Sequence, residues 1–154
     1  MKIFKPILSA LLFLSFSGCG NTTQSKSYSF SGNNNLVTIE DGFIIYDGTN
    51  GTFDGGILNL SNDVDLSSYS ECVITFFSEN DKGEKQTLYS IEYTKDNIPT
   101  SFKDFELGSI SSKDFCNTLT IPQLQNSLYL EIMGTIGTDE YEIISLDLNL
   151  IENK

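Results

Sequence analysis

The residues of this chain equipped for chemistry are three cysteines (Cys19, Cys72 and Cys116), 21 carboxylates and seven tyrosines; histidine, arginine and tryptophan are absent, and all nine basic residues are lysines. Nucleophilic catalysis of the Ser-His-Asp or Cys-His kind needs an imidazole to take the proton. It is excluded here, as are imidazole metal ligands and bidentate guanidinium clamps for phosphate. A formal charge of −12 over 154 residues equally opposes nucleic acid, which is bound by neutralising phosphates with clustered bases. Paired carboxylates remain a catalytic option, but the acids are scattered over turns and strand faces and no spacing selects a pair. The expectation is a protein that is not an enzyme.

Cys19 stands at the end of an ordered series. Lys2 and Lys5 make a positive amino-terminal region, Pro6 to Ser17 form a 12-residue apolar-rich stretch, and Gly18 precedes the cysteine. That is the build of a secretory signal, and the apolar stretch is short of the ~20 residues a spanning helix needs. Phe16-Ser17-Gly18-Cys19 resembles the lipobox of bacterial lipoproteins, with Phe16 where the family usually has an aliphatic residue. The resemblance implies cleavage before Cys19, acylation of that cysteine and residence in the bacterial cell envelope, lipid-anchored and facing the periplasm or the exterior. Residues 1–18 are then a signal peptide, 19–27 a lipidated tether and 28–154 the folded domain. Two or three acyl chains anchor stably, since each buried methylene adds roughly 0.8 kcal/mol and one chain is marginal. The processed chain keeps 136 residues and loses Lys2 and Lys5, so seven lysines face 21 acids and the balance moves to −14.

In an exported chain, Cys72 and Cys116 are an even pair and candidates for a disulfide. Closing a loop of about 45 residues would stabilise by roughly 4 kcal/mol in the chain-entropy model. Two separate buried thiols are the other reading, since free cysteine packs as a small apolar residue. The densest acidic turn is Asp47-Gly48-Thr49-Asn50-Gly51-Thr52-Phe53-Asp54. Asp47 and Asp54 are candidate calcium ligands, calcium taking six to eight oxygens. The spacing fails the EF-hand pattern, because Thr49 and Thr52 occupy its third and sixth positions and Leu58 its twelfth. The alternative is a glycine-rich hairpin turn whose aspartates bond their own backbone.

The elements that must carry these residues follow a period of two. Ile144, Leu146, Leu148 and Leu150 alternate with polar partners, as do Leu128, Leu130 and Ile132 with Tyr129, Glu131 and Met133, and these two runs form a hairpin. Further strands are expected at Tyr28–Ser31, Leu36–Glu40, Phe43–Tyr46, Ile57–Leu60, Glu71–Phe77, Gln86–Tyr93, Phe102–Leu107 and Thr118–Ile121. Asp41-Gly42, Asp47-Gly48 and Asp54-Gly55-Gly56 supply turns. Short helical turns are expected near Asp65–Ser68 and Ser111–Asp114. Strands at this spacing predict an all-β antiparallel sandwich.

Asp63-Val64-Asp65-Leu66-Ser67-Ser68-Tyr69 leading into Cys72-Val73-Ile74-Thr75-Phe76, with the closing strand Ile143 to Ile151, resembles galactose-binding-like jelly rolls, the sandwich of many carbohydrate-binding modules. The resemblance implies a jelly roll, an aromatic platform for sugar and, since such modules often carry a structural calcium, room for one at Asp47 and Asp54. If Leu128, Leu130 and Ile132 face inward, Tyr129 faces outward and a neighbouring strand can bring Tyr141 near it, so these two are the candidate ligand-binding residues. The expectation is a membrane-anchored, non-catalytic binding module for carbohydrate, with a structural lipoprotein that contacts another envelope protein as the alternative.

Overall fold

Alternating sequences of this kind bury one face of each strand and wet the other, and the computed structural model, which describes residues 25–47, 49–113, 124, 127–138 and 140–154, has that form in its long core strands Tyr69–Glu79 and Leu128–Ile136 and in most of Glu140–Asn153. Its strands are β1 (Lys26–Asn33), β2 (Val37–Tyr46), β3 (Gly51–Asp54), β4 (Ile57–Leu60), β5 (Tyr69–Glu79), β6 (Lys85–Thr94), β7 (Phe105–Glu106), β8 (Ser109–Ser112), β9 (Leu128–Ile136) and β10 (Glu140–Asn153). Every pairing is antiparallel. The strand order is β6-β5-β9-β10-β1-β2-β3-β8, with β4 on β2 and β7 on β4. β10 belongs to both layers, pairing with β9 from Glu140 to Leu148 and with β1 from Asn149 to Asn153. The result is a nearly closed, jelly-roll-like sandwich in which the first and last strands lie side by side.

Between the layers, the rings of Phe30, Phe53, Phe76 and Tyr89 meet with centroids 5.0–6.3 Å apart, tying β1 and β3 to β5 and β6. Cys72, Ile74, Leu130, Ile132, Leu146 and Leu148 fill the space beside them. Two glycines are needed for this packing. The Phe30 ring lies on Gly42 and the Tyr69 ring on Gly134, and a Cβ at either glycine would collide with the ring.

Several expected elements came out differently. Asp41-Gly42, expected as a turn, is a bend within β2: Asp41 has φ 56°, and the neighbour on one side changes from β4 to β3 there. β1 stays paired with both halves and keeps the strand running. Gly51–Asp54 is strand β3 rather than turn, and Ser109–Ser112 is strand β8 rather than the start of a helical turn. Of Phe102–Leu107 only Phe105–Glu106 is strand, while Phe102 and Leu107 are buried loop residues. The single turn of 3-10 helix at Leu66–Ser68 is where it was expected, with the Asp65 carboxylate accepting from the Ser67 N–H at 3.1 Å. β1 starts at Lys26, two residues ahead of the expected domain start, and Lys26 pairs with Glu152 at 3.4 Å. Thr118–Ile121 lies outside the described residues.

Candidate functional site

The inner faces of β5, β6, β9 and β10 are committed to the core, so any surface chemistry of this layer belongs to their outer faces. The pairing registers set the outer side chains in four rows across β6, β5, β9 and β10. They are Thr94, Glu71, Thr135, Tyr141; then Glu92, Val73, Met133, Ile143; then Ser90, Thr75, Glu131, Ser145; then Thr87, Phe77, Tyr129, Asp147. The face therefore has an apolar row flanked by hydroxyls and carboxylates. Tyr141 is 66% exposed and Ile143 47%.

At one end of the face, Phe77 stacks on Tyr129 with centroids 5.4 Å apart and planes at 22°. The Lys85 ammonium sits 4.3 Å from the Phe77 ring centre and pairs with Glu131 at 2.8 Å. These contacts leave Phe77 only 6% exposed although it lies outside the core. The sequence reading missed this cluster. Its signal is the Phe76-Phe77 doublet, which in a strand must put one ring on the wet side.

Tyr129 and Tyr141 share the face but not a site. Tyr129 is opposite Asp147 and Tyr141 opposite Thr135, six positions along β9, or roughly 20 Å at ~3.4 Å per residue. Tyr129 also has its ring engaged by Phe77, so the pair makes no two-ring sugar platform.

Asp47 and Asp54 are likewise in different places, Asp47 in the turn after β2 and Asp54 at the last position of β3. Asp47 Oδ1 accepts from Asn50 N–H at 2.6 Å and Thr49 N–H at 2.8 Å, and these bonds hold its carboxyl below the ordinary 3.8. Asp54 Oδ1 accepts from Gly56 N–H at 2.9 Å. Both aspartates do what turn residues do, and among the described residues no three Cys, Asp or Glu converge on one point.

Cys72 is a fully buried free thiol, pushed up to about 11 by desolvation, and so is protonated and inert at neutral pH. Its candidate partner Cys116, and the lipidation candidate Cys19, lie outside the described residues. On the core side at the rim of the same sheet, the Tyr69 hydroxyl donates to Glu142 at 2.7 Å, Glu142 lying in the row of Gly134 and Cys72. Burial first, then Glu142, raise its pKa well above the ordinary phenol.

Two depressions are lined by described residues. A half-open depression of about 250 Å³ is lined by Leu66, Tyr69, Lys95, Ile98 and Pro99, and another of about 260 Å³ by Glu79, Asn80, Glu84 and Lys85 at the β5–β6 turn. Among the described residues every buried side-chain polar atom has a partner, so none is left aimed at a ligand. Among the described residues the geometry offers a chemically mixed sheet face. No protein-family model matches the chain, and no curated protein matches it significantly.

Proposed function

We propose that this chain is a lipid-anchored, non-catalytic module of the bacterial cell envelope that docks another envelope protein on the outer face of β6, β5, β9 and β10. The observation that carries the reading is the apolar row Val73, Met133, Ile143, with Tyr141 beside it, in which Ile143 and Tyr141 are exposed. Protein interfaces are shallow and combine an apolar centre with a polar rim, whereas small ligands are held in concave sites. The anchor rests on Lys2, Lys5, the apolar stretch and Gly18-Cys19.

Anchor and face are compatible in direction. β1 begins seven residues after Cys19, a span of at most about 25 Å. The carboxyl end of β10 lies beside the start of β1, so Tyr141 and Ile143, at the other end of β10, are held about 35–40 Å of strand away from the tether. The acidity of the domain keeps it soluble and off anionic lipid.

Carbohydrate is the second reading, favoured by the Phe77–Tyr129 ring pair beside Asp147. The two readings separate by experiment. In cells given an alkyne fatty acid the chain takes up label and Cys19→Ser does not; label persisting in that variant contradicts the anchor. The full chain migrates as a discrete complex on native gels, and Tyr141→Ser with Ile143→Ser removes the complex without removing the label. Binding on a glycan array at millimolar sugar that is lost in Tyr129→Ala would instead assign the face to carbohydrate.

A further inference from the structure

β10 is paired on both sides along only part of its length. β9 runs beside it from Glu140 to Leu148, while β1 takes its other side only from Asn149 to Asn153. Beyond Asn149 the second side is closed by loop: the Asn34 side-chain amide donates to the Ser145 carbonyl at 2.9 Å. From Glu140 to Ile144 no strand of the described residues pairs on that side. Glu140, Tyr141, Glu142 and Ile143 are all exposed. A bare strand edge offers a row of backbone donors and acceptors to another chain, and natural edges are blunted by proline, bulges or charged side chains. This stretch has no proline, bulge or lysine, and its charges are both negative, so they turn away neutral or acidic strands and leave a cationic one admissible. It has two carboxylates alternating with two large apolar side chains.

We infer that the Glu140–Ile144 edge accepts an extended segment of the partner protein as an added strand, and that this segment alternates Lys or Arg with aliphatic residues. The inference rests on the docking reading of the same end of the face and names the partner's chemistry. In such a ladder the partner's cations sit on the side of Glu140 and Glu142, and its aliphatic residues extend the Tyr141 and Ile143 surface. Opposite charges across strands stabilise the pairing and like charges oppose it. A second copy of this chain is a poor occupant: antiparallel pairing about Glu142 sets Glu142 against Glu142, and a shift by one sets both carboxylates against apolar side chains. Residues 114–123 of this chain carry one acid and no base, so they lack the cations that Glu140 and Glu142 call for.

The test uses the full chain in non-ionic detergent micelles and three synthetic heptapeptides. One alternates Lys with Ile and Val, one has Glu for each Lys, and one keeps the Lys, Ile and Val side chains on a backbone with alternate amides N-methylated. The first slows amide exchange within residues 140–144 by about tenfold or more, as ladder formation requires. The N-methylated peptide binds about tenfold more weakly because it cannot complete the ladder, the Glu peptide does not bind, and Glu140→Lys weakens the first peptide. Equal binding of the first and N-methylated peptides, or unchanged exchange at 140–144, overturns strand addition. If the cellular complex still depends on Tyr141 and Ile143 in that case, face docking stands without it. If the complex does not depend on them, the docking reading fails as well.

Discussion

β10 is one strand with two environments. From Ile144 to Leu150 it alternates buried and exposed side chains, with β1 closing its second side over the later residues. From Glu140 to Ile143 all four side chains are exposed, although the ladder to β9 continues without a break. The backbone is the same; what differs is the second neighbour and the core beneath. A strand paired on both sides over a core contributes to stability, and a strand paired on one side at the rim is available to a partner.

Changes along β10 and its neighbours should separate these roles. The largest effect is expected in the sealed half: Leu146→Ala removes a side chain that is 5% exposed and costs about 3 kcal/mol in urea unfolding. Where the halves meet, Gly134 faces both Cys72 and Glu142 and carries the Tyr69 ring. Gly134→Ala drives a methyl into that ring and costs about 1–3 kcal/mol, read the same way. Alkali acts at the same point. Burial raises the Cys72 thiol from 9.0 to about 11, so the folded form holds its proton where the unfolded chain has lost it. The stability it contributes is full below pH 9 and is lost as pH rises through about 11. Melting temperature should fall over that window, and Cys72→Ala should flatten the fall. Smallest in stability is the exposed half: Tyr141→Ser and Ile143→Ser shift unfolding by no more than about 0.5 kcal/mol yet abolish the complex. A loss above 2 kcal/mol there would erase the distinction between the halves.

The long alternating strands were legible in the sequence because each carries enough apolar positions for the period to show; Ile57–Leu60 was read to the residue, and β5, β6, β9 and β10 to within a few. Short strands were not. β3 has one bulky apolar residue, Phe53, and β8 only Ile110, so neither has a period to read, and both are strands because their neighbours complete the ladder. The Asp-Gly pair at 41–42 has the chemistry of a turn and the neighbours of a strand, and the neighbours decide. For the site, the outward direction of Tyr129 follows from alternation, but its distance from Tyr141 depends on register, which the residues alone do not fix. The open edge at Glu140–Ile144 was hidden for the same reason: it exists because β1 leaves β10 at Ser31, a matter of topology rather than composition.

The central claim, that the rim half of β10 meets a protein partner, is tested most directly by placing a photo-crosslinking side chain in turn at positions 141, 143, 145, 149 and 151 and irradiating intact cells. The account predicts one discrete cross-linked product, strong at 141 and 143, weaker at 145 and absent at 149 and 151. Equal yields at all five positions, or a product confined to 149 and 151, would contradict it.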